Sequence, residues 1–187
     1  SKGCAELVAA SYRSSFLNDL GIGVASVRAG NVIGGGDWAG DRLIPDILRS
    51  FELNKAVVVR NPKATRPWQH VLEPLSGYLL LAQKLYNNQE EYSGGWNFGP
   101  DEKDIKPVHW ILDQMIPYWP NASWSLDDNL NPHEASFLKL NISKARKKLN
   151  WKPIWELDKT LERIINWHRA WKNQEDVQLL CLTEIEE

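Results

Sequence analysis

Cysteine is scarce in this chain, with two among 187 residues. Cys4 and Cys181 stand near opposite ends without metal-like spacing, which excludes a thiolate metal cluster, suggests no metal site and favours a reducing compartment. Charge of one sign is lacking as well. With 22 basic and 24 acidic residues the net charge is −2, so no global field draws the chain to nucleic acid or a membrane, and any anion site must be local. No apolar run is long enough to span a bilayer and no signal peptide is visible, so the expected location is cytoplasmic. The sequons at Asn121 and Asn141 are then chance matches.

What the chain does have is tryptophan and a glycine-filled corner. Ten tryptophans are spread from Trp38 to Trp171, and most are expected in the core, where a large ring with one N–H suits the seams between layers. From Val24 an apolar, β-rich run ends in Gly34-Gly35-Gly36-Asp37-Trp38. Three consecutive glycines carry no β-carbon, so the corner reads as a loop where a ligand approaches main-chain amides; a plain strand-to-loop turn is the alternative.

Helical spacing of Leu7, Val8, Tyr12, Phe16 and Leu20 predicts a helix over 2–20, closed by Gly21, and the buried strand 24–27 follows. A second helix is expected over 41–53, with Pro45 in its first turn, then a short strand over 56–60. Further helices are expected over 71–86, 106–117, 143–149 and 157–173, with a strand at 96–100 and an acidic, frayed tail after Gln174. Strands alternate with helices, so the class is α/β. The chain opens inside its first helix, which leads us to expect that Ser1 is a cut and not a natural start.

Four segments, taken in order, carry a resemblance. Ser1-Lys2-Gly3-Cys4-Ala5-Glu6 resembles the end of a Tyr-x-x-x-Lys motif, and Arg28 to Asp37 an R-x-x-N-V-x-G corner. Thr65-Arg66-Pro67-Trp68-Gln69-His70-Val71 resembles an R-D-[WF]-x-x-V segment, and Leu149-Asn150-Trp151-Lys152-Pro153 an L-G-W-K-P signature. In this order they resemble the extended short-chain dehydrogenase/reductases that act on nucleotide sugars. The forms Ile33-Gly34-Gly35, Arg66-Pro67 and Pro132-His133-Glu134-Ala135 are similar to one group of 4,6-dehydratases within that family.

The resemblance implies the C-terminal part of a Rossmann-like parallel-sheet domain interleaved with a smaller, mostly helical substrate-binding domain. Residues 1–40 and 71–117 would belong to the cofactor domain, and 41–70 and 118–187 to the sugar-nucleotide domain. It also implies NAD as cofactor, a pyrimidine sugar nucleotide as substrate, and a homodimer or dimer of dimers formed through the helix 2–20. No nucleic-acid or membrane partner is expected. A 4-epimerase or reductase on the same scaffold, or a non-catalytic nucleotide-binding module, would be the alternatives.

Residue roles follow from the resemblance alone. Lys2 would hold the nicotinamide ribose and favour the phenolate of a tyrosine four positions earlier, which the sequence does not reach. Arg28, Ala29 and Asn31 would edge the cofactor. Asn31, Arg42, Arg60 and Arg66 would face the diphosphate side, where forked cations suit phosphate oxygens, and Leu43 would be a further substrate-binding residue; a surface salt bridge is the alternative for each arginine. Main-chain groups along Val57-Val58-Val59, with Val58 and Val59 at the base, would pair with a pyrimidine edge, and His133 and Glu134 would close over the nucleoside. His70, His109 and His168 are expected to be structural, and Trp68 and Trp151 to be wedges between domains.

Overall fold

The computed structural model describes residues 2–129 and 135–187. The chain divides into two compact units, one of Ser1–Gly30, Leu72–Gly99 and Leu140–Ile154, the other of Asn31–Val71, Pro100–Lys139 and Trp155–Glu187. These bounds differ from the expected domain limits: 31–40 and 100–117 group with the second unit, and 140–154 with the first. Parallel strand pairs alternate with helices in the chain, which makes the class α/β.

The first unit opens with α1 (Lys2–Tyr12), which widens into a π-helical turn over Arg13–Leu17. Gly21, at φ +71°, ends it, as a residue without a β-carbon can in the left-handed region. Strand β1 (Ala25–Ala29) then pairs in parallel with β5 (Gly94–Phe98), from Ala25 opposite Gly94 to Ala29 opposite Phe98. Helix α3 (Leu72–Asn87) packs closely here, because a β-carbon on Gly77 would lie 2.3 Å from the buried Phe98 ring. A short α4 (Gln89–Tyr92) is capped by Asn88, whose side chain accepts from the Glu91 amide at 3.1 Å. Helix α6 (Ser143–Leu149) is entered through an Asn141 side chain accepting from the Ser143 amide at 2.9 Å and stops at Asn150, φ +53°.

The core of this unit is Leu81, Trp96, Phe98, Ile142, Ala145, Leu149 and Trp151. Trp151 stands edge-on to Phe98 at 5.0 Å and donates its indole N–H to Ser76 Oγ at 3.0 Å. It is thus a core residue of one unit, which corrects the expectation of a wedge between domains.

In the second unit β2 (Asn31–Ile33) lies parallel to β4 (Thr65–His70), and β6 (Ile105–Pro107) runs antiparallel on the other side of β4. A separate pair joins β3 (Val57–Val59) to β7 (Trp124–Leu126) in parallel. Helices α2 (Leu43–Glu52), α5 (Val108–Met115) and α7 (Leu157–Lys172) turn their apolar stripes to a core that holds Ile47, Phe51, Ile111, Leu112, Met115, Ile164 and Ile165, together with Trp68. Trp68 donates to the Lys106 carbonyl at 2.9 Å and, like Trp151, packs within its own unit. Arg42 holds extended backbone before α2, and Pro45 occupies the third helical position, as expected for a first turn.

Three segments depart from or add to the sequence reading. Residues 106–107 are strand, so α5 starts only at Val108. The segment 65–70, read only as a motif, is a strand buried from Arg66 to His70. The tail is not frayed: α8 (Val177–Glu186) forms after Asp176, whose side chain accepts from the Leu179 amide at 3.0 Å. Its Glu184 is buried, while Cys181 accepts from the Trp167 indole at 3.3 Å. Leu179, Leu182 and Ile185 are exposed on the other side, so apolar residues surround the helix and no single stripe announces it.

Candidate functional site

The glycine corner is shaped by packing. A β-carbon on Gly35 would fall 2.3 Å from the Trp167 indole, and one on Gly34 would fall 2.9 Å from Val71. Trp38 next to it lies against Trp171 at 4.4 Å and Trp167 at 6.2 Å. The glycines therefore admit an indole where the sequence suggested a ligand.

Of the residues expected on the nucleotide side, Asn31, Arg42, Leu43, Val58, Val59, Arg60 and Arg66 all belong to the second unit. Asn31, half-buried, opens β2 opposite Trp68. Arg66 is buried in β4 and donates to the Thr65 carbonyl at 3.0 Å. Arg42 and Arg60 are exposed at the start of α2 and the end of β3, and neither side chain has a hydrogen-bond or ion-pair partner among the described residues. Leu43, the first residue of α2, rests against the core. His133 and Glu134 lie outside the described residues.

Strand β3 alternates buried, exposed, buried, with Val58 62 % exposed. The Val57 amide donates to the Ser123 carbonyl at 3.0 Å and the Asp127 amide to the Val59 carbonyl at 2.9 Å. In a parallel ladder of this register the main chain of Val57 and Val59 serves β7, and the N–H and C=O of Val58 point to the open edge. One donor and one acceptor are presented side by side.

Of the residues expected to edge the cofactor, Lys2, Arg28 and Ala29 fall in the first unit and Asn31 in the second. Lys2 is exposed at the start of α1, and its ammonium has no partner among the described residues. Arg28 is different. Its Nε donates to Glu6 Oε1 at 2.8 Å, one terminal nitrogen to Glu6 Oε2 at 2.8 Å and the other to Asn97 Oδ1 at 3.0 Å. Ser26 donates to Glu6 Oε2 at 2.6 Å. Hydrogen bonds from Arg28 and Ser26 hold the Glu6 carboxyl below its ordinary range. The strand register also turns the main chain of Arg28 to β5, leaving Ala29, not Arg28, with its main chain at the open edge. Glu6, Ser26 and Asn97 were not singled out by sequence; the only hint was Glu6 one helical turn beyond Lys2.

The histidines are packing groups. His70 is buried against Trp155 with ring centroids 4.8 Å apart, and burial, with the nearby Arg163 cation, lowers its pKa to about 4. Burial lowers the pKa of His168 too, while a His109 ring nitrogen sits 3.0 Å from the Pro62 carbonyl. Among the described residues no cluster of three metal-ligating side chains is present, and no helix is long and apolar enough to cross a membrane.

No family model matches the chain. It is 58 % identical over 191 residues to CDP-glucose 4,6-dehydratase of Salmonella typhimurium (strain LT2), across 99 % of this chain and 53 % of that protein. The chain thus spans about half the length of the curated relative it matches. Among solved structures it resembles UDP-glucuronic acid 4-epimerase from Bacillus cereus, in complex with UDP-glucuronic acid and NAD, with a TM-score of 0.74 and 17 % identity over 89 % of this chain and 50 % of that one. It also resembles dTDP-glucose 4,6-dehydratase from Bacillus anthracis, in complex with NAD, with a TM-score of 0.70 and 16 % identity over 89 % of this chain and 49 % of that one. The α/β fold is shared with about half of each of these structures.

Proposed function

We propose that this chain is the C-terminal, sugar-nucleotide-binding half of an NAD-dependent CDP-glucose 4,6-dehydratase, which converts CDP-glucose to CDP-4-keto-6-deoxyglucose. The observation that carries the reading is 58 % identity over 99 % of the chain to an enzyme of that activity. In this reading β1 and β5 are two strands of the Rossmann-like sheet, and the second unit supplies most of the nucleotide pocket. The exposed apolar side chains of Leu7, Val8, Tyr12, Phe16 and Leu20 make α1 and its π turn the interface of a homodimer.

The residues present fit both ligands. The ammonium of Lys2, without a partner among the described residues, suits ribose hydroxyls and steadies a neighbouring phenolate by Coulomb attraction. Arg42 and Arg60, which have no ion-pair partner among the described residues, offer charge for a diphosphate, and the donor and acceptor of Val58 complement the N3 and N4 edge of cytosine. Asn31 donates to a phosphate oxygen. The redox chemistry that NAD supplies when bound is acceptance of hydride from sugar C4 and its return to C6, so the net change is loss of one water.

The test is incubation of the polypeptide that carries this chain with CDP-glucose and NAD, followed by mass spectrometry. Loss of one water from the sugar nucleotide is expected. An unchanged mass with an inverted C4 would replace the dehydratase with an epimerase, and no turnover of any nucleotide hexose would end the catalytic reading.

A further inference from the structure

Helix α1 carries the lysine of the proposed site, yet none of its residues is buried. Hydrophobic packing inside its unit therefore does little to fix it, and polar contacts must set where its first turn lies. The polar contact at hand is the two-pronged bond from Arg28 to Glu6, reinforced by Ser26 and steadied by Asn97. The strand opposite leaves room for it: a β-carbon on Gly95 would lie 2.7 Å from the Arg28 guanidinium. The pair is exposed, at 44 % for Arg28 and 32 % for Glu6, so its contribution to global stability is small.

Lys2 and Glu6 are four residues apart on one helix face, the spacing at which an ammonium and a carboxylate pair. They do not pair here. Both Glu6 oxygens are taken by Arg28 and Ser26, and the lysine is left without a partner among the described residues.

We propose that Arg28 is a positioning residue that captures Glu6, which tethers the first turn of α1 to β1 and keeps Glu6 from neutralising Lys2. This rests on the role given to Lys2 under the proposed function. Removing Arg28 would free a carboxylate one turn from the lysine, whereas removing Arg28 and Glu6 together would lose the tether without creating a competitor. The two changes are therefore non-additive in a direction that a purely structural ion pair does not produce.

The experiment compares wild type, Arg28→Met, and Arg28→Met with Glu6→Gln, in the polypeptide that carries this chain. Methionine keeps an aliphatic stem over Gly95, and Arg28→Lys serves as a second variant that retains a cation. Competitive acylation of the Lys2 amine, read by peptide mass without added substrate, is expected to slow about twofold in Arg28→Met and to recover in the double variant and in Arg28→Lys. With CDP-glucose, kcat is expected to fall about threefold or more in Arg28→Met with KM little changed, and to recover in part in the double variant. Equal acylation of Lys2 in all forms would overturn the proposal. So would a double variant no better than Arg28→Met. A wild type that acylates as expected but does not dehydrate CDP-glucose would instead overturn the substrate reading and leave the Arg28 assignment supported by the amine chemistry.

Discussion

The second unit closes around a larger core than the first. Fifteen buried apolar residues from helices, strands and the α7 segment form one cluster in the second, against seven in the first. The first unit has a two-stranded parallel sheet and a leading helix without a buried residue, and it exposes Leu7 at 73 % and Leu20 at 70 %. Parallel sheets are ordinarily covered on both faces, so a two-stranded one is a small base on which to build a core. The contrast teaches that helices and strands from distant parts of the chain supply burial in the second unit, whereas the leading helix of the first keeps its apolar side chains in water.

Three changes break or sharpen that contrast. The largest effect is expected from Phe51→Ala in the second unit, whose ring is 1 % exposed: loss of the ring and a residual cavity cost roughly 3–5 kcal/mol in denaturant unfolding. Acid comes next. His70 has its folded pKa lowered to about 4, so the unfolded state binds more protons between that value and the ordinary 6.5. The contribution is complete above pH 6.5 and is lost as pH falls toward 4, by roughly 3 kcal/mol in all. Stability curves at successive pH values should show this slope, and His70→Gln should flatten it. The smallest effect belongs to the first unit. Phe16→Ser, at a side chain 59 % exposed, should change unfolding free energy by about 0.5 kcal/mol or less when the protein is monomeric. The same change should weaken self-association in light scattering if that face is the dimer interface.

Legibility in the sequence followed how local the cause was. Helices α2 and α7 carry a one-sided apolar stripe, and the chain announces them within a residue or two of their ends. The Asn150 stop of α6 was readable from Asn-Trp-Lys-Pro. Strands β6 and β7 are three residues each and exist because partners pair with them, so their own residues carry little signal. Lys2 and Arg66 stood out by motif, and Arg42 and Arg60 by charge. The competition for Glu6 did not stand out, because Arg28 reaches it across 22 residues of sequence.

By itself the sequence determined the α/β class, the helical faces and the kinds of charged and polar side chain on offer, because periodicity and side-chain chemistry act over a few residues. Tertiary structure alone decided which glycines yield to an indole, that Arg28 spends its charge on Glu6, and that Val58 turns its amide and carbonyl to an open edge. Those outcomes depend on partners brought from distant parts of the chain. A side chain's free valence is a property of its neighbours as much as of its own type.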